Sequence, residues 1–230
     1  MKKLAVLATQ RTGSTALCSF LDSHPNLFWG QEILAHNKKH LKQRVEMFYD
    51  IMNMTFFSRD DIKGVGTKLM YNQIERSRGS VWEWLILNNV KIIHLKRKDD
   101  LARQLSQEIN VRKKELGRTA HSKQTPSPVK IELDPQEVAQ NIKRKRIREQ
   151  RWDNRLNNYP HVDITYEEMT NGGKNTNEMP VKTAMKLLNF IGVSYHPLTT
   201  SFVKQNPQPP EDIITNYQEV FDYLKEEKII

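Results

Sequence analysis

The residues of this chain most able to act together chemically stand near its start. The segment Thr9-Gln10-Arg11-Thr12-Gly13-Ser14-Thr15 separates a short apolar run, Leu4–Ala8, from a stretch in which Ala16, Leu17, Phe20 and Leu21 share one helical face. A loop between a strand and a helix offers unpaired backbone N–H groups and the positive end of the helix dipole. Gly13 lets the backbone approach a ligand or adopt a left-handed turn. Ser14 and Thr15 add hydroxyl donors, and Arg11 adds a fixed cationic fork. Together they suit a phosphate or a sulfate. The competing reading is a plain polar turn with a Ser/Thr cap. The nucleoside-triphosphate loop, G-x-x-x-x-G-K-[ST], is absent, because no Lys precedes the Ser/Thr pair and no first glycine stands upstream. An ordinary ATPase or GTPase is therefore disfavoured.

A second group lies at the end of another apolar run, Val90–Leu95. Arg97 and Lys98 close that run, and Ser106 follows Arg97 in an R-x8-S spacing. A cation at a strand end and a hydroxyl on the next helical turns can converge on one dianion, although a basic strand end is ordinarily just solvated. Glu32 sits among Leu27, Phe28, Trp29, Ile33 and Leu34, an apolar setting that would raise a carboxyl into the range of a general base. Against this stands a surface Glu that merely opens a helix. His36 and His24 are rival bases, and His36 is also an acceptor-side candidate; His24, before Pro25, reads better as a residue that packs a turn. Lys68 is a candidate contact for an acceptor or a sulfate, with Tyr71 and Gln73 as possible neighbours in the same cleft. No Asp/His cluster suggests a metal, and none is expected.

These groups need elements to hold them. Leu4–Ala8 reads as a buried strand, with further strands at Gly66–Tyr71, Val90–Leu95 and His161–Tyr166. Leu101, Leu105 and Ile109 mark a helix opened by Asp99 and Asp100. A long basic helix is expected over 135–157. Val181, Ala184, Met185, Leu188 and Ile191 form a helical stripe that Gly192 ends. The last helix carries Tyr217, Val220, Phe221 and Leu224, with Thr215 or Asn216 as its cap. Gly117–Val129 reads as an exposed loop and residues 205–212 as a proline-rich crossing. Strand, loop and helix in alternation give an α/β fold: a central parallel sheet of four to five strands with helices on both faces.

Composition bounds the rest. The chain has 230 residues, 36 Lys and Arg against 27 Asp and Glu, and a formal net charge of +9. That length suits a single domain, 1–230, and that excess favours polyanionic partners. The basic run Lys143–Arg148 invites a nucleic-acid reading, but no helix-turn-helix or RNP-type aromatic pattern accompanies it. No run is long and apolar enough to span a membrane, and Gln10 and Arg11 interrupt the N-terminal apolar run too early for a signal peptide. With the one cysteine, Cys18, this leads us to expect a soluble, cytoplasmic protein without disulfides.

Arg11-Thr12-Gly13-Ser14-Thr15 resembles the 5′-phosphosulfate loop, Lys/Arg-[ST]-Gly-[ST]-[ST], of the sulfotransferases that use 3′-phosphoadenosine 5′-phosphosulfate (PAPS). The resemblance is closest to bacterial and phage-type carbohydrate enzymes, in which an RTGST core is followed by a "SHP" segment and a Gly-Glu or Gly-x-Glu turn. Ser23-His24-Pro25 and Gly30-Gln31-Glu32 stand at those places. Ile92–Ser106 resembles the family's 3′-phosphate element, and Ile164–Met169 its late Tyr-Glu-Asp-Leu segment. The Lys-Gly-x-x-Gly-Asp-Trp clamp of animal cytosolic relatives is missing. The resemblance implies a P-loop-like sulfotransferase fold and PAPS as the donor. It implies that Arg11, Thr12, Gly13, Ser14 and Thr15 hold the phosphosulfate, that Arg97 or Lys98 with Ser106 holds the 3′-phosphate, and that Lys204 closes over the nucleotide. It implies Glu32 as the base and Arg11 beside the leaving group; Lys68 and His36 stay acceptor-side candidates on their residue types alone. The acceptor would be a hydroxyl of a saccharide or glycolipid. The alternatives are a non-catalytic nucleotide- or nucleic-acid-binding protein using helix 135–157, and a retained donor site whose acceptor site has been lost.

Overall fold

A computed structural model of the chain describes residues 1–30, 32–34, 41–53, 61–115, 130–172, 177–202 and 208–230. In chain order the elements are β1 (Lys2–Ala8), α1 (Ser14–Asp22), β2 (Leu27–Trp29), α2 (Leu41–Asn53), β3 (Gly64–Met70), α3 (Tyr71–Arg76), α4 (Ser80–Leu87) and β4 (Lys91–Lys96). Then come α5 (Asp100–Glu115), α6 (Pro135–Leu156), β5 (His161–Thr165), α7 (Tyr166–Met169), α8 (Val181–Ile191), α9 (Pro210–Ile213) and α10 (Tyr217–Glu226). The chain divides into two compact units: Met1–Lys96 with Tyr159–Ser201, and Arg97–Asn158 with Phe202–Ile230.

The first unit holds the sheet, five parallel strands in the order β2-β3-β1-β4-β5. β1 lies in the middle, Ala8 pairing with Met70 on one side and Leu95 on the other. A strand covered on both faces needs apolar side chains throughout rather than in alternation, which is why Leu4–Ala8 is one unbroken apolar run. Leu4, Val6 and Ala8 pack with Leu17, Phe20 and Leu21 of α1 and Leu187, Leu188 and Ile191 of α8. The pleat sends Lys3 to the opposite face. There its Nζ donates to Asn53 at the end of α2 (2.8 Å) and Asn88 just after α4 (2.7 Å), and lies over the Trp84 ring. Helices therefore cover both faces of the sheet.

Some elements differ from the sequence reading. β3 starts earlier than expected and ends at Met70, so that Tyr71 opens α3 instead of closing a strand. The reason is Gln73, whose side-chain carbonyl accepts the Met70 N–H (2.9 Å) and caps a helix directly on the strand end. On α8 the buried stripe is Thr183, Ala184, Leu187, Leu188 and Ile191, while Val181 and Met185 are exposed. Gly192 ends that helix at φ 82, a left-handed conformation glycine adopts without penalty. The Gly117–Val129 loop lies outside the described residues.

The second unit is helical. Leu101, Leu105 and Ile109 of α5 pack with Val138, Ala139 and Ile142 of α6 and Val220 and Leu224 of α10. The start of α6 combines Pro135 in the first turn with an Asp134 carboxylate that accepts from the N–H groups of Gln136 and Glu137. Asn216 occupies the cap position of α10, but its side chain serves a strand-like contact instead: it accepts from Leu133 N–H and donates to Leu133 C=O. At the centre lies Arg103, fully buried and paired with Asp100 and, at 3.5 Å, with Glu149.

Candidate functional site

Strand order sets where a ligand can bind. From β1 the chain crosses to β2 on one side, and from β4 to β5 on the other. The adjacent C-terminal ends of β1 and β4 form the point where winding reverses, and open α/β sheets bind ligands outside such a point. The loop Thr9–Gly13 emerges there from β1.

The loop is shaped by its own residues. Arg11 takes a positive φ of 65 and Gly13 one of 87. Gly13 is needed for a second reason: a Cβ on it would lie 2.5 Å from Cδ2 of Tyr166, whose ring backs the turn from α7. The Thr12 side chain is buried and its hydroxyl donates to the Thr9 carbonyl (2.9 Å), so it braces the loop and leaves anion contact to the backbone. Gly13 is the N-cap of α1 and, lacking a side chain, makes no side-chain cap bond to that helix. A helix start without a capping side chain can turn its first N–H groups to an external acceptor such as an anion.

Around this helix start the structure assembles a polar cluster from four places in the chain. Lys68 of β3 donates to Thr15 Oγ1 (3.2 Å) and pairs with Glu32 Oε2 (2.9 Å). Gln73 of α3 donates to Glu32 Oε1 (2.6 Å). Glu32 follows β2 after Gly30, whose N–H donates to the Gly66 carbonyl (2.7 Å) and prolongs the sheet pairing by one residue. Thr15, Glu32, Lys68 and Gln73 are thus brought together; the sequence reading had grouped only Lys68, Tyr71 and Gln73. Its account of Glu32 needs correction: Trp29, Ile33 and Leu34 are buried nearby in the chain, but the carboxylate itself meets an ammonium and an amide. Because the Thr15 oxygen accepts from Lys68, its own hydroxyl proton remains available for another acceptor.

Other candidates resolve differently. His24 is buried, its Nδ1 accepting the Asn26 N–H (3.1 Å) and its Nε2 facing the Ser194 carbonyl (3.0 Å); both ring nitrogens serve the turn. Burial pushes the Cys18 thiol up to about 12, with Lys68 opposing, so it is held as the thiol at neutral pH. Tyr71 is buried and its hydroxyl bonds His94 Nε2, while His94 Nδ1 bonds Asp163 Oδ1 (2.9 Å). That His94 bond holds the Asp163 carboxyl down to about 2. His36 and Lys204 lie outside the described residues. In the second unit, Ser106 is buried on α5, Arg97 is half-buried and Lys98 is exposed.

Sequence reasoning missed Gln73 as a partner of Glu32. Its signal was the N3 position of a helix that begins without a loop, and nothing in the strand pattern announced that helix. The Gly13–Tyr166 contact was likewise invisible, though both residues lie in segments that the resemblance had marked.

No protein-family model matches the chain, and no curated protein matches it. Among solved structures, a sulfotransferase from Alicyclobacillus acidocaldarius aligns over 100% of this chain and 96% of its own, at 13% identity and a TM-score of 0.55. A sulfotransferase domain from the curacin biosynthetic pathway aligns over 98% of each chain at 14% identity, with a TM-score of 0.47. At such identities the first likeness speaks to architecture: the chain has the P-loop-like α/β fold of a bacterial sulfotransferase.

Proposed function

We propose that the protein is a PAPS-dependent sulfotransferase that moves a sulfuryl group to a hydroxyl of a saccharide or glycolipid. The observation that carries this reading is the Thr15–Lys68–Glu32 contact. It sets a carboxylate, an ammonium and a hydroxyl beside an uncapped helix start that follows a phosphate-type loop. The loop also lacks the lysine that a nucleoside-triphosphate loop carries before its Ser/Thr. Sulfuryl transfer needs this set: a cradle for the anion, a cation, and a base for the acceptor.

In this reading the N–H groups of Gly13, Ser14 and Thr15 and the hydroxyls of Ser14 and Thr15 hold the 5′-phosphosulfate. Lys68 turns its ammonium to the sulfuryl oxygens, and Arg11 neutralises charge on the departing phosphate oxygen. Glu32 accepts the acceptor hydroxyl's proton as the new O–S bond forms. The old S–O bond breaks, with its electron pair going to the phosphate oxygen of 3′,5′-adenosine bisphosphate. The family's 3′-phosphate role falls to Arg97 or Lys98, with Ser106. Lys204 over the nucleotide and His36 at the acceptor complete the set. A single cysteine fits the reducing cytoplasm, and among described residues no helix is long and apolar enough to cross a membrane.

The nucleic-acid alternative depends on a freely presented basic face on α6. Lys143 is paired with Glu227, Lys145 with Gln104, and Arg146 with Asp100 and the Ile229 carbonyl, so at least three of the five basic residues in Lys143–Arg148 are engaged within the second unit. The test is calorimetric titration with 3′,5′-adenosine bisphosphate, with 5′-AMP and ATP as controls. We expect selective binding of the bisphosphate, weakened at least about ten-fold in Arg97→Ala, as loss of a charge-assisted contact implies. Equal binding of all three nucleotides would overturn the reading.

A further inference from the structure

We infer that Gln73 is a positioning residue for the base, fixing the direction in which the Glu32 carboxylate points. The inference rests on Glu32 being the base of the proposed reaction, and it adds a function to a residue that the loop motif leaves unexplained.

A glutamine amide has one acceptor oxygen and one donor nitrogen, and a flip exchanges them. In Gln73 the flip is decided by the backbone: Oε1 accepts the Met70 N–H at 2.9 Å, a bond only the oxygen can make. Nε2 is therefore the atom that meets Glu32 Oε1 at 2.6 Å, and it must donate. The side chain is buried, and its rotamer is tied to the last residue of β3. The first residue of α3 is tied as well, through the Tyr71 hydroxyl and His94. Gln73 thus links the Glu32 carboxylate to the end of a central strand through two hydrogen bonds.

The two oxygens of Glu32 are consequently unlike. Oε1 is held by an amide whose own position is locked. Oε2 is held by Lys68, a point charge on a flexible stem that also contacts Thr15. When an anion occupies the loop, Lys68 has a second partner to turn to, and Gln73 has none. Oε2 is then the oxygen that opens to take the acceptor's proton, while Gln73 keeps donating to Oε1 in both protonation states. A base aimed in this way satisfies the positional demand of an in-line transfer, where small misplacements cost large factors in rate.

The experiment uses the full chain and four proteins: wild type, Gln73→Met, Glu32→Gln and the double variant. The probe is the release of 3′,5′-adenosine bisphosphate from PAPS with water as acceptor. Affinity for the bisphosphate is measured alongside. Gln73→Met should lower kcat about ten- to a hundred-fold, with KM for PAPS and bisphosphate affinity held within about two-fold. In the Glu32→Gln background it should lower kcat no further. A loss of equal size in both backgrounds, or a loss of bisphosphate affinity, makes Gln73 a helix cap and overturns the inference while the base stands. Undiminished kcat in Glu32→Gln removes the base reading itself, and the inference goes with it. A second measurement needs no turnover: the Gln73 side-chain amide signal in a nitrogen-proton NMR spectrum of the ligand-free protein should move on Glu32→Gln. If that signal stays in place, the amide is not engaged with the carboxylate and the inference is overturned.

Discussion

Two polar networks in this molecule are made from the same kinds of side chain and differ in what surrounds them. In the first unit, Lys68, Glu32, Thr15 and Gln73 come from β3, the end of β2, α1 and α3, and the Lys68 and Glu32 side chains keep 11% and 27% exposure. In the second, Arg103, Asp100, Glu149 and Arg146 come from two helices; Arg103 and Asp100 at its centre are 0% and 8% exposed, and Arg146 at its edge is 46% exposed. The closed network fills its own space, so removing a member strands a charge in low dielectric. The open one holds groups that a ligand can re-pair. The exposure of the central pair, more than the identity of its charges, sets the two networks apart.

That contrast breaks first at Glu32. Glu32→Gln should cost about 10²–10⁴-fold in turnover, the usual worth of a positioned base, with the urea unfolding midpoint little changed. A variant that loses stability and keeps its rate would reverse the assignment of the two networks. Arg103→Met should do the opposite. Leaving Asp100 with Arg146 alone should destabilise the fold by about 3 kcal/mol, at the lower end for a broken buried pair because Arg146 still answers part of the charge. Urea unfolding reads that loss, and wild-type stability in Arg103→Met would show that the closed network fastens nothing.

The smallest effect sharpens the comparison through pH. Burial, then repulsion from Arg103, lowers the Lys145 ammonium to about 8 from an ordinary 10.5. Between those values the unfolded chain holds a proton that the folded chain has released, so stability rises as pH climbs from 8 toward 10.5. Lys145→Met should erase Lys145's share of that rise, read as the difference between urea midpoints at pH 7.5 and pH 10. An unchanged difference would mean that Lys145 keeps its proton as a fully solvated lysine does.

Much of this architecture was legible because one force wrote it. β1, β4, α5, α6 and α10 announce themselves through apolar spacing, and the loop after β1 through its Gly and hydroxyl residues. α3 did not, since a helix normally declares itself by a Ser, Thr, Asp or Asn before it; here Met70 precedes it and Gln73 supplies the cap from within. β2 escaped because three residues are too few to show a period. The meeting of Lys68 with Glu32 depends on the pairing of β2 with β3, Trp29 opposite Gly66. That pairing works because Gly66 leaves room for the Trp29 ring, which a Cβ would meet at 2.2 Å. Spacing along a sequence carries no record of such a cross-strand fit.

The position of β5 has a consequence for how the protein is made. Its pairing with β4 runs Ile92–His161 through Lys96–Thr165, and the whole of Arg97–Asn158 is synthesised in between. At ribosomal rates that interval lasts roughly several seconds. Throughout it, β1 to β4 can assemble while β4 displays a bare hydrogen-bonding edge along Ile92, Ile93 and Leu95. Such an edge recruits strands from neighbouring nascent chains, and only Lys91 and Lys96, at its two ends, discourage them. Yield in a cell, and the protein's need for chaperones, will depend on how quickly that edge is covered.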